Sequence, residues 1–110
     1  MEKIKLFERI KETSQVIGEA NISLNGAADG FSAFGDYYNV DDIVYYAITD
    51  GARYEVGSGQ YIIDGSNKVI TRIPFQSTNS NNKVSFPDAS IKEVFATYPG
   101  KYSVFTASEL

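Results

Sequence analysis

Ile43-Val44-Tyr45-Tyr46-Ala47-Ile48-Thr49-Asp50-Gly51-Ala52-Arg53-Tyr54-Glu55-Val56-Gly57 is the stretch whose reading decides the fold. Two β-branched and aromatic runs flank Asp50-Gly51, a strong short-range hairpin signal. With Asp50 and Gly51 as the two loop residues, Ala47 faces Tyr54 and Tyr45 faces Val56. Strand side chains alternate between faces. Ile43, Tyr45, Ala47, Tyr54 and Val56 therefore share one face, and Val44, Tyr46, Ile48, Arg53 and Glu55 the other. The first face is uncharged and is expected to be core. The second carries Arg53 and Glu55, so Val44, Tyr46 and Ile48 are expected outside, as an apolar patch that a neighbouring chain covers.

On the N-terminal side, Phe7 to Thr13 reads as a first strand behind a short arm. Gly18 to Leu24 alternates Ala20, Ile22 and Leu24 with Glu19, Asn21 and Ser23, the pattern of a strand with one buried face, and Asn25-Gly26 turns it. Ala27 to Asn39 has neither a helical nor a strand period; it is expected as an irregular crossing whose Phe31 and Phe34 plug the core. On the C-terminal side, Gly57-Ser58-Gly59 is expected to break the second hairpin strand as a bulge before Gln60 to Ile63 resumes it. Asp64 to Asn67 is a turn, Lys68 to Ile73 a strand ended by Pro74, and Gln76 to Asn82 an exposed polar loop. Val84 to Phe86 and Ile91 to Tyr98 are two more short strands. Turn signals recurring about every ten residues between short alternating strands predict an all-β fold, a small antiparallel β-sandwich or Greek-key-like barrel. The 110 residues are expected as a single domain, with an N-terminal arm over 1–6, a β core over 7–99 and a tail or extra strand over 100–110. Within that tail Tyr102 and Val104 alternate with Phe105, so the segment is expected to pair with its own sheet or a neighbour's, and these three join the expected protein interface.

Composition removes several activities. The chain has no Cys and no His, which excludes thiolate nucleophiles, Ser-His-Asp arrangements and zinc sites of the usual kind. A net charge of -4 with scattered Lys and Arg argues against nucleic acid as a partner. No apolar run approaches membrane-spanning length and Met1-Glu2-Lys3 opens no signal-peptide core, so a soluble product made in the cytoplasm is expected, with no membrane partner. Carboxylates are the remaining acid–base candidates. Asp41 and Asp42 are adjacent and on a strand would point to opposite faces, while Asp50 and Asp64 sit in glycine turns. Asp36, Asp41 and Asp42 could meet calcium, but no Asp-rich loop of the EF-hand kind is present, and they read as solvated turn residues. No catalytic residue, metal ligand or cofactor is expected. The Tyr37-Tyr38 pair offers a sugar-stacking platform, a reading disfavoured against strand packing and interface.

An ordered set of residues carries a resemblance. It runs through Arg9 to Ser14, Gly18 to Leu24, Gly30-Phe31 with Phe34, Tyr45 to Ile48 and Asp50-Gly51. It continues through Tyr54 to Tyr61, Ile70-Thr71-Arg72, Ser77 to Ser80, Lys83 to Phe86 and Lys92 to Pro99. In this order and spacing the chain resembles a small all-β domain that recurs in virion structural proteins of tailed bacteriophages. The departure is Tyr54, where that pattern usually has Trp before Glu-Val-Gly. The resemblance implies structural work in the virion without catalysis and leaves the position on the particle open; the first expectation is a multi-copy capsid decoration protein. Its expected partners are copies of itself and other virion proteins, either the major capsid protein or neck and tail proteins. The alternatives are a neck or tail component attaching tail fibres, and a carbohydrate-binding module of a tail fibre.

Overall fold

Asn25, Gly26 and the residues around them close the architecture, and the strands explain how. The structure, a computed structural model, describes residues 9–97. It contains β1 (Lys11–Ser14), β2 (Ile22–Ser23), β3 (Ile43–Thr49), β4 (Tyr54–Asp64), β5 (Asn67–Ile70), β6 (Ile73–Ser77) and β7 (Lys92–Ala96). A 3-10 turn at Phe34–Asp36 is the one helical element among the described residues. The strands form an antiparallel sheet in the order β1-β7-β3-β4-β5-β2, with β6 paired to β4. Strand β4 is the pivot. One edge pairs with β3, and the other pairs first with β6 and then with β5. At the far side Leu24 N–H donates to Lys68 O, while Asn25 N–H donates to Thr13 O and Ala28 N–H to Lys11 O. The segment after β2 thus joins β5 to β1, and the sheet wraps into a barrel-like wall. The all-β class expected from the alternation is the class observed.

Inside the wall Ile22, Phe34, Val44, Tyr46, Ile48, Ile70 and Val94 are wholly shielded from solvent. Phe34 plugs the core as expected. Phe31 does not; it is half-buried beneath Arg9 and Lys11, whose charged heads lie 4.7 and 5.0 Å from its ring centre.

The hairpin differs from its expected form in register and in orientation. Asp50 Oδ1 accepts the N–H groups of Ala52 and Arg53, so the loop is Asp50–Arg53 and the last ladder pair is Thr49 with Tyr54. Ala47 consequently faces Val56, not Tyr54. A slip of two residues preserves which side chains share a face, so that part of the reading stands, apart from Arg53, which belongs to the loop. The faces themselves are exchanged. Val44, Tyr46 and Ile48, expected outside as interface residues, are core at 0% exposure, and Tyr54 is 38% exposed. The reason is Glu55, also fully buried, whose charge is matched by Arg72 from the β5–β6 connection. A face that looks half-charged in sequence is neutral once folded.

Other boundaries shift for local reasons. The expected strand Gly18 to Leu24 is reduced to β2, and Val84 to Phe86 contributes one bridge, Phe86 to Gly18. Gly57 and Gly59 do not interrupt β4. A Cβ on Gly57 would lie 2.3 Å from Ile73 O and one on Gly59 1.8 Å from Thr71 O, so these glycines let the crossing backbone pack onto β4. A bulge is present in the β4–β6 ladder, between Val56 and Gly57. The run Lys68 to Ile73 divides at Thr71-Arg72, where Arg72 turns inward, and Pro74 lies within β6, not after it.

Candidate interaction surfaces

The interior is polar in an organised way. Arg72 Nη2 donates to Glu55 Oε1 at 2.5 Å and Arg72 Nε to Glu55 Oε2 at 3.1 Å. Tyr46 O–H donates to Glu55 Oε2 at 2.6 Å, and Val84 N–H to Glu55 Oε1 at 2.8 Å. The remaining guanidinium N–H groups reach Gly18 O, Ala20 O and Val84 O. Burial pushes the Glu55 carboxyl up, but hydrogen bonds from Arg72, Tyr46 and Val84 together with the Arg72 charge outweigh it and hold the group below its ordinary range. Burial, then the bond to Glu55, pushes the Tyr46 phenol well above its ordinary value. Glu12 is similarly enclosed, accepting from Gly26 N–H and Phe34 N–H at 2.8 Å each, which fixes the turn after β2 and the entry to the 3-10 turn. Lys92 is buried, its ammonium donating to Asp88 O and lying 5.4 Å from the Phe86 ring centre. Among the described side chains no buried polar atom lacks a partner. These groups tie loops to the wall.

The turn carboxylates do the same work at the surface. Asp36 Oδ2 accepts Ala33 N–H and Asp42 Oδ2 accepts Asn39 N–H, closing short turns. Asp50 pairs with Arg53 at 2.7 Å across the β3–β4 loop; burial pushes its carboxyl up, but the Arg53 and Ala52 N–H groups and then the Arg53 side chain outweigh it and hold the group below its ordinary range. No group of His, Cys, Asp and Glu suited to a metal ion occurs among the described residues. No helix among them is long and apolar enough to cross a membrane.

The outer face of the β3–β4 hairpin is the surface that remains. Register places Phe95, Ala47, Val56 and Gln76 in one row across β7, β3, β4 and β6, with Glu93, Thr49 and Tyr54 in the next. Tyr45, Ser58 and Ile73 form a third. Tyr45, Ala47, Val56 and Phe95 are half-buried, while Tyr54 and Ile73 are exposed, Ile73 at 63%. Lys11 crosses one side of this face, paired to Glu93 at 2.9 Å and 5.3 Å from the Phe95 ring centre. Of these, Tyr45, Ala47, Tyr54 and Val56 are residues that the sequence reading expects as core. The signal that finds them in sequence is the apolar character of both faces of the hairpin. A hairpin with one core needs only one.

Of the other expected interface residues, Tyr102, Val104 and Phe105 lie outside the described residues. The Tyr37-Tyr38 platform is divided: Tyr38 is buried against Phe34 at 6.1 Å between ring centres, and Tyr37 is 46% exposed. Burial, then the Asp42 carboxylate, pushes the Tyr38 phenol up to about 12. Two shallow clefts flank the β3–β4 loop, one of about 330 Å³ beside Arg53 and Thr78 and one of about 240 Å³ beside Asp50 and Ile91.

Compared with known proteins, the chain matches no family model, no curated protein and no solved structure.

Proposed function

We propose that this protein is a structural component of a tailed-bacteriophage virion, present in several copies and held in place through the outer face of its β3–β4 hairpin. The observation that carries the reading is the two-sided hairpin. Val44, Tyr46 and Ile48 close the domain's own core, yet Ala47, Val56, Tyr54 and Ile73 add an apolar face that the core does not use. The ordered resemblance of Arg9 to Pro99 to a recurring virion domain supports the class of protein. Within the particle, the capsid surface is the first assignment, as a decoration protein bound to the capsid lattice and to copies of itself, and the neck or tail the second. The reading assigns no catalytic step and no cofactor; the buried carboxylates Glu12 and Glu55 serve as acceptors for backbone and side-chain N–H groups.

Val56→Glu places a charge in the middle of the outer face without touching the core. The variant is expected to keep the wild-type melting temperature while losing self-association by light scattering and incorporation into particles. Normal incorporation would overturn the assignment of this face.

A further inference from the structure

The seam that closes the barrel carries a dipeptide with chemistry of its own. Of the asparagines in the chain, only Asn25 precedes a glycine. In such a pair the glycine nitrogen can attack the asparagine side-chain carbonyl carbon, because no β-carbon crowds the approach. A Cβ on Gly26 would meet nothing within 4 Å, and both residues are exposed to water. Gly26 holds φ at 111°, where a side chain is strained, so the turn keeps the reactive glycine. Yet the attacking nitrogen is held. Gly26 N–H donates to Glu12 Oε1 at 2.8 Å, and Glu12 itself is buried and bridged to Ala27. On either side Asn25 N–H donates to Thr13 O at 2.9 Å and Ala28 N–H to Lys11 O at 2.8 Å. Attack requires the Gly26 N–H to lose its proton and the nitrogen to swing toward the Asn25 side chain. Losing the proton here would set a second negative charge against the Glu12 carboxylate. Swinging away would leave that buried carboxylate short of a partner.

We infer that Asn25–Gly26 is a self-modification site that Glu12 keeps closed while the seam is shut. When the seam opens, the Gly26 nitrogen bonds to Asn25 Cγ, its proton passes to water, and Nδ2 leaves as ammonia. Water then adds to either carbonyl of the resulting cyclic imide. Breaking the new C–N bond gives aspartate at position 25. Breaking the original peptide bond gives isoaspartate, whose main chain runs through the former side chain. Water is consumed and ammonia released, with no change of oxidation state. Either product adds a negative charge next to the residue that Glu12 holds. Isoaspartate also lengthens the backbone between the bonds to Thr13 and Glu12. The modified seam closes less well, so an opening that leads to reaction leaves a permanent mark.

The full chain is incubated in mildly alkaline buffer, folded and in urea, and peptide mass mapping follows amide loss at residue 25. Folded protein is expected to react at least about tenfold more slowly than unfolded, because reaction waits on opening of the seam. Glu12→Gln keeps the shape of the side chain but removes its charge and one acceptor oxygen. That variant should lose the Asn25 amide faster than wild type while still folded by circular dichroism. A second measurement does not depend on the variant folding. In wild-type protein under rising sub-denaturing urea, hydrogen exchange at the Gly26 amide and amide loss at Asn25 should accelerate in parallel. Aged wild-type protein should melt at a lower temperature than fresh protein, and aged Asn25→Ser should not. Equal rates in the folded and unfolded chain, or a folded Glu12→Gln variant as slow as wild type, would overturn the inference. So would exchange that rises without amide loss, or an unshifted melting temperature after isoaspartate has formed.

Discussion

Arg72 and Glu55 meet at 2.5 Å with both side chains fully withdrawn from solvent. They come from different strands' neighbourhoods, and their pairing makes the inner face of the hairpin neutral. Removing one partner leaves the other charge buried without a match. Arg72→Met is expected to destabilise the fold by about 3–5 kcal/mol, measured by urea unfolding. Adding Glu55→Gln to that variant should recover only part of the loss, because Val84, Gly18 and Ala20 also lose backbone partners.

The same carboxylate sets an acid limit. Its pKa in the folded state is depressed, so between the folded and unfolded values the unfolded chain binds more protons. The stabilisation is present above the unfolded carboxylate range and is lost as pH falls through the folded value. Melting temperature should therefore hold near neutrality and drop on acidification below the ordinary Glu range. Glu55→Gln should be less stable at neutral pH but show a shallower acid slope. Parallel slopes for the two proteins would count against the assignment.

Tyr46 and Tyr54 separate the observed hairpin orientation from its opposite. Tyr46 is 0% exposed and Tyr54 38%. Tyr46→Ala should cost roughly 3–5 kcal/mol as a large-to-small core change, and Tyr54→Ala under about 1 kcal/mol. Thermal or urea unfolding of the two variants reads the difference directly. The reverse ranking would restore the exchanged faces.

Gly59 is expected to tolerate nothing larger. A Cβ there meets the backbone oxygen of Thr71, which cannot swing aside as a side-chain tip can. Gly59→Ala should cost about 3 kcal/mol or more, whereas Gly51→Ala, with open space around it but φ at 97°, should cost about 1–2 kcal/mol. Equal unfolding midpoints for the two variants would show that β4 and the Thr71 backbone are not in close contact.

The sequence made the all-β class legible because alternation and turn residues are local signals. The face assignment was not legible in the same way. Glu55 reads as solvent-facing until Arg72, 17 residues away, is placed beside it, and no local pattern announces that pairing. The length of the hairpin loop failed for a similar reason. Asp50-Gly51 signals a two-residue turn, but the Asp50 carboxylate satisfies two further N–H groups and makes the longer loop the better one. Strand breaks at Thr71-Arg72 and continuity through Gly57 and Gly59 depend on which backbone crosses which, a tertiary fact. Of the interaction surfaces, the apolar content of the hairpin was visible and its inside and outside were not.

The proposal that this chain is a virion component is tested most directly by an image of a purified phage particle at a resolution that traces strands. This chain is expected at several symmetry-related positions, with Ala47, Val56, Tyr54 and Ile73 against a neighbouring virion subunit and Val44, Tyr46 and Ile48 inside its own core. A particle that lacks the chain, or one in which that outer face looks into solvent at every copy, would contradict it.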